Sequence, residues 1–193
     1  MKYKTILLFG APGAGKGTQG KILGLIPNYF HFACGDAFRS LTVASPLGKV
    51  FIEHSGKGQL VPDEPTIRLW QQSIDSTKRA GRFRPETDTL ILDGIPRNVR
   101  QAEMLRKTLD VKAVFYLHCQ DMNKMIDRLQ KRALKENRLD DANLDVIRER
   151  LKTYDLETKP VLKFYGRKLV HDIDSTQSPI EVLTSILRHL VKK

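Results

Sequence analysis

The chain has 193 residues, 40% of them hydrophobic and 28% charged, a balance that excludes a disordered polymer and suits one domain with a proper core. No apolar run approaches the roughly 20 residues of a membrane span, and its two cysteines, Cys34 and Cys119, are too far apart to suggest a disulfide framework or a zinc cluster. The formal net charge of +11 favours acidic or phosphorylated partners, but no regular aromatic platform accompanies the basic residues, so nucleic acid is not expected among them.

In chain order, Thr5 to Phe9 is β-branched and aliphatic and reads as a buried strand. No apolar leader precedes it, from which a cytoplasmic protein is expected. A glycine-rich turn, Gly10 to Gly15, follows at once, then Lys16, Gly17 and Thr18. Glycines at 10, 13 and 15 allow positive φ angles and bring backbone N–H groups around an anion. Lys16 adds a mobile positive charge for β and γ phosphates, and the helix that starts here aims its partly positive N-terminus at the same place. This is the spacing of a phosphate-binding loop with one departure. Gly17 separates Lys16 from Thr18, where the common motif sets Ser or Thr directly after Lys to hold magnesium.

Lys16 to Leu25 is expected to be helical until Pro27 and Asn28 stop it. Tyr29 to Cys34 is a short apolar run, after which Gly35 and Asp36 form a turn that caps a helix from Ala37. Ser45, Pro46 and Gly48 read as breakers, and so does Gly56 to Pro62, so the section from about Gly35 to Asp63 is short helices and turns inserted between core elements. Asp63 to Lys78 is a helix with Pro65 in its first turn; Ala80 to Asp88 is a loop; Thr89 to Asp93 is a compact strand. Asn98 to Lys107 reads as a helix, and Val111 to Leu117 as a strand covered on both faces. Met122 to Lys131 is helical, Ala133 to Asn143 a loop, and Leu144 to Thr158 helical through Leu144, Ile147, Leu151 and Tyr154. Pro160 opens another helix ending near Gly166, Lys168 to Ile173 is the last strand, and Pro179 to Val191 the last helix. Strands alternating with helices predict an α/β fold, a parallel sheet with helices on both faces, in a single domain spanning 1–193.

Ligands of parallel α/β sheets sit beyond the carboxyl ends of the strands, so TLILDGIPRNVRQ places Asp93 and Arg97 beside the phosphate loop. Asp93 suits magnesium held through waters, and Arg97 can fork onto a phosphate. Gln101, one helical turn beyond Arg97, shares its face, and its amide matches the amino group and ring nitrogen of adenine.

With these residues in view the chain resembles the adenylate kinases of the nucleoside monophosphate kinase family over essentially its full length. GAPGAGKGTQ at 10–19, CGDAFR at 34–39, GQLVP at 58–62, DGIPRN at 93–98 and the RLDD stretch from Arg138 carry the resemblance in order. It accounts for Gly17, because the family's loops read GKGT and hold magnesium mainly through waters and phosphate oxygens. It implies a P-loop kinase fold with a five-stranded parallel sheet, an AMP-binding insertion at 35–64, a short lid at 132–142 and reversible phosphoryl transfer from MgATP to AMP.

The resemblance implies an ATP site of Gly13, Ala14, Gly15, Lys16, Gly17 and Thr18, with Arg128 stacked on the ATP base. It implies an AMP site of Cys34, Arg39, Gly58, Leu60, Val61, Gly94, Arg97 and Gln101, in which Arg39 and Arg97 grip the phosphate. Lys16, Arg97, Arg132, Arg138 and Arg150 would surround the transferred group, Arg138 and Arg150 also reaching AMP, while Asp140 and Asp141 orient the lid arginines. Arg148 matches no family position and reads as part of a solvated basic face. The segment between Arg132 and Arg138 is too short for a zinc-stabilised lid, so no zinc is expected. A monomer is expected, because insertion and lid must swing freely.

Cys34 stands where adenylate kinases usually have Thr, and a thiol hydrogen-bonds only weakly, so base discrimination there is relaxed. Beside a helix N-terminus its pKa is expected to be lowered. Two other readings stay open: a pyrimidine (UMP/CMP) or broad-specificity monophosphate kinase, against which Gln101 stands, and a non-catalytic nucleotide- or RNA-binding P-loop protein, which has no need of so many arginines.

Overall fold

Parallel strands carry the chain from one side of the molecule to the other, and helices bring it back. The computed structural model describes residues 2–136 and 138–191. Its strands are β1 (Tyr3–Phe9), β2 (Tyr29–Ala33), β3 (Thr89–Asp93), β4 (Leu109–His118) and β5 (Val170–Asp174), hydrogen-bonded in the order β2-β3-β1-β4-β5 with each pairing parallel. The inner strands are the most continuously apolar, with Leu7, Leu90, Leu92, Val114 and Leu117 fully buried, as strands covered on both faces require. The edge strands carry the polar side chains His31, His171 and Asp172.

Alternation along β1 divides the core. Leu7 and Phe9 join one cluster with Trp70, Phe83 and Leu92, while Ile6 and Leu8 join another with Leu23, Phe115 and Ile186. The first is covered by α4 (Asp63–Arg79), α5 (Val99–Leu105) and α8 (Val161–Tyr165), the second by α1 (Lys16–Leu23) and α9 (Pro179–Val191). A third cluster, Met125 and Leu129 against Ile147 and Leu151, joins α6 (Met122–Glu136) to α7 (Leu144–Thr153). Register then positions the site. Leu8 of β1 pairs with Asp93 of β3, so the loops that begin at Gly10 and Gly94 leave the sheet side by side.

Three local expectations are corrected. Ser45, Pro46 and Gly48 do not break a helix but start α3 (Pro46–Ser55): the Ser45 hydroxyl accepts from the Gly48 N–H at 3.1 Å, and Pro46 sits where its missing N–H is not needed. α2 (Cys34–Arg39) begins at Cys34, with Gly35 and Asp36 inside its first turn rather than ahead of it. α6 continues to Glu136 through residues read as loop, because its stripe of Met125 and Leu129 is enough to seat a helix whose other faces are charged. Beyond it, Leu139–Asp141 forms a tight 3-10 turn, and a π turn at Tyr154–Thr158 follows α7.

Gly10 has a φ of 149°, and a Cβ there would lie 2.4 Å from the Leu117 backbone carbonyl oxygen. A strand carbonyl cannot swing aside as a side chain can. Gly10→Ala is therefore expected to lower the unfolding free energy by about 3 kcal/mol, read from urea titration; an unmoved midpoint would refute this account of the β1 exit.

Candidate active site

A cleft of about 510 Å³ opens beyond the carboxyl ends of the strands. Gly13, Ala14, Gly15, Lys16, Gly17 and Thr18 form its floor, and Asp93, Gly94 and Arg97 enter from the end of β3. Cys34 and, from the 35–64 segment, Arg39, Gly58, Leu60 and Val61 line one side, and Arg128, Arg132, Arg138, Asp140 and Arg150 the opposite side.

In the phosphate loop, Gly13 and Gly15 have φ angles of 87° and 91°, which L side chains rarely adopt. The Lys16 ammonium folds back onto its own loop and donates to the carbonyl oxygens of Gly10 at 2.8 Å and Ala11 at 3.1 Å. Burial lowers its pKa to about 8 against the opposing pull of Asp93, and Arg132, Arg97 and Arg150 push the same way as burial. That charge is therefore raised in energy until an anion arrives. Gly17 faces Asp93: a Cβ there would stand 3.6 Å from Oδ2, so the missing side chain leaves that side of the carboxylate open.

The arginines are held by acids. Asp141 is 0% exposed and does not line the cleft; it lies behind it as an anchor. Arg132 reaches its Oδ2 through Nε at 2.7 Å and Nη2 at 2.6 Å, while Arg150 Nη1 pairs with its Oδ1 and with Asp140 Oδ2 at 2.8 Å. Arg138 pairs with Glu136 at 2.7 Å and, across the cleft, with Asp36 at 3.4 Å. Arg39 holds the same Asp36 oxygen at 2.8 Å. Burial would raise the Asp36 carboxyl, but the Arg39 hydrogen bond and the charges of Arg39, Arg138 and Lys21 hold it below the usual carboxylate range. Arg97 turns its Nε to the Gly94 carbonyl at 2.8 Å, and Arg128 donates to the Ser175 carbonyl at 2.9 Å. Arg148 points away, exposed and paired with Asp145 at 3.3 Å.

Burial revises the expected state of Cys34 and sets Gln101 behind the cleft wall. Cys34 is 1% exposed, and loss of hydration pushes its thiol up to about 11, with Arg97 and Arg39 only partly offsetting it. The six-residue helix that it starts does not lower it. Gln101 is also 1% exposed and is not part of the cleft wall. Its Oε1 accepts from the Arg97 backbone N–H at 2.8 Å, and its Nε2 donates to Asp63 at 2.9 Å.

Some lining residues escaped the sequence reading. Ser175, Gln177 and Pro179 follow β5, and the carboxyl-end rule applied to that strand would have found them. Phe38 and Phe51, stacked with centroids 5.2 Å apart and an 11° interplanar angle, give the 35–64 segment an aromatic wall that periodicity alone does not reveal.

Removing Asp141 leaves two arginine side chains without their main counter-charge in a mostly buried setting. Asp141→Ala is expected to lower stability by about 3 kcal/mol, and Asp140→Ala by no more than about 1 kcal/mol, in chemical denaturation. Equal losses, or none, would refute the anchor role.

Comparison with known proteins agrees with this geometry. The adenylate kinase family model matches residues 8–170. An adenylate kinase of Thermobifida fusca is 38% identical over 186 residues, covering 93% of each chain. One from a Nocardioides species is 36% identical over 96% of each chain, and one from Borrelia garinii 31% identical over 97% of this chain and 99% of its own. A parallel sheet that delivers a phosphate loop and a ring of acid-held arginines to one cleft, together with these matches along most of the chain, shows that the chain belongs to the adenylate kinase family.

Proposed function

We propose that the protein moves the γ-phosphoryl group of MgATP to AMP, and back, giving two ADP. The observation that carries this reading is the convergence of Lys16, Arg39, Arg97, Arg128, Arg132, Arg138 and Arg150 on one cleft. A protein that only bound one nucleotide has no use for cations on every side, whereas transfer between two phosphate chains needs charge neutralised along the whole path.

In this reading the ATP phosphates lie on residues 13–18, cradled by backbone N–H groups and by Lys16, which leaves the Gly10 and Ala11 carbonyls to meet them. Arg128, steadied by the Ser175 carbonyl, stacks on the ATP base. Arg39 and Arg97 grip the AMP phosphate, with Gly94 giving it close approach to the backbone. Gly58, Leu60 and Val61 flank the AMP base, which Gln101 reads. A phosphate oxygen of AMP attacks the γ phosphorus as the bond to the bridging oxygen of ADP breaks, so no water enters the balance. Arg132, Arg138 and Arg150 meet the charge spread over the transferring group, and the acids that hold them fix their positions beforehand.

Asp93 fits magnesium held through waters. Its open side faces Gly17, and Mg²⁺ is ordinarily held by one or two carboxylates together with phosphates. When bound there the ion would neutralise charge on the ATP phosphates. Residues 35–64 and 132–142 act as the moving parts that shut out water, and a monomer leaves them free to move.

Two measurements test this. With ATP as donor, AMP is expected to exceed CMP, UMP and GMP as acceptor by at least about tenfold in kcat/KM, and a pyrimidine acceptor ahead of AMP would sink the assignment. Lys16→Met is expected to cut transfer by at least about 10³-fold without lowering the thermal midpoint at neutral pH. Folded Lys16 releases its proton near 8 and the unfolded chain near 10.5, so between these values the unfolded state binds more protons and stability gains as pH rises. That gain should disappear in Lys16→Met; an identical pH profile in the two proteins would contradict it.

A further inference from the structure

The hydrogen bonds around Gln101 allow its amide only one orientation. Oε1 accepts from the Arg97 backbone N–H at 2.8 Å, and Nε2 donates to Asp63 Oδ1 at 2.9 Å. A backbone N–H only donates and a carboxylate only accepts, so turning the amide over would set donor against donor and acceptor against acceptor. Asp63 is fixed in turn. The same Oδ1 accepts from Asn98 Nδ2 at 2.8 Å, Arg100 Nε stands 3.6 Å from Oδ2, and Asn98 caps α5 by accepting from the Gln101 N–H at 2.8 Å. With Gln101 1% exposed, little solvent is available to replace either partner.

Each end of the amide keeps one free valence, an N–H on Nε2 and a lone pair on Oε1. Adenine offers the complement, an amino donor beside a ring nitrogen acceptor. A purine with a carbonyl at the same carbon, such as hypoxanthine or guanine, offers the reverse: an acceptor beside a ring N–H. Bound in the same pose, it fits only an amide that has turned over. The cleft runs close to this network on both sides, through Val61 and Thr66 before and within α4 and through Pro96 and Arg97 ahead of α5. For the covered amide to meet a base, that wall must shift to admit the base edge.

The geometry points to Asp63 as the positioning residue that selects adenine over 6-oxo purines, by holding the Gln101 amide in the adenine-reading orientation. The inference rests on Gln101 facing the acceptor base, as proposed above. Asp63 need not touch either nucleotide, and it ties the end of the 35–64 segment to the start of α5, so base choice and the seating of that segment share one carboxylate.

The test measures kcat/KM for AMP and IMP as acceptors, with ATP as donor, in the wild type, Asp63→Ala, Asp63→Asn and Gln101→Leu. Asp63→Ala is expected to lower the AMP-to-IMP ratio about tenfold, chiefly through KM for AMP, with KM for ATP unchanged, the size of one charge-assisted hydrogen bond. Asp63→Asn keeps the shape, and its amide can turn to match a turned Gln101 only by setting its NH2 against Asn98 Nδ2, so Asn98 and the Arg97 N–H both oppose the change and the ratio should fall by no more than about threefold. Melting curves accompany each variant, and if Asp63→Ala does not fold, Asp63→Asn alone decides. A ratio that falls in Gln101→Leu but holds in the folded Asp63 variants overturns the role of Asp63 and leaves the base reading intact. A ratio that holds in Gln101→Leu overturns the base reading itself, and this inference with it.

Discussion

Cations that must act together repel one another before their substrate arrives, and the rest of the architecture answers that constraint. Lys16 and the arginines at 39, 97, 128, 132, 138 and 150 share a single cleft, and each lowers its energy by facing an acid or a carbonyl. The fully buried Asp141 binds two of them at once. Such a buried pair is weak evidence for added stability, but it fixes position, and position is what phosphoryl transfer needs.

The sheet supplies the frame for that charge. Parallel strands must return by crossover, so each strand ends at the same side and passes into a loop or helix there. The pairing of Leu8 with Asp93 sets the phosphate loop beside Asp93 and Arg97, although they are far apart in the chain. The third apolar cluster does the same for Arg132 and Arg150 by seating α6 on α7, which brings both guanidiniums to one aspartate. Arg138 and Arg39 then meet across the cleft on Asp36, and Gly58 packs on α7 with its carbonyl accepting from the Thr153 hydroxyl at 3.2 Å, so the two sides are joined by charge and by close contact.

Much of this was legible in the sequence because its signals are local. The strand, glycine turn and lysine at 5–16 state their structure within a few residues, and strand β3 and helix α9 begin and end where the apolar pattern says. Short helices were harder. Ser45 and Pro46 serve equally as breakers and as a helix start, and the choice depends on whether a continuing chain packs behind them. The polar residues after Lys131 hid the rest of α6, since what seats it is a stripe of side chains on α7.

The sequence by itself determined the order of strands and helices, the phosphate loop with its Gly17, and the roster of cations. Each follows from periodicity, from glycine's backbone freedom, or from a spacing that puts neighbours on one helical face. Only the tertiary structure decided the state of each group: Cys34 with its thiol raised by burial, Lys16 with its ammonium lowered, and Arg39 and Arg138 sharing Asp36 across the cleft. It also decided that Gln101 is locked by Asp63, a partner from another helix. The reason is physical. Hydration lost and partners gained depend on what the fold brings within about 3 Å, and distant segments of a chain carry no local sign that they will meet.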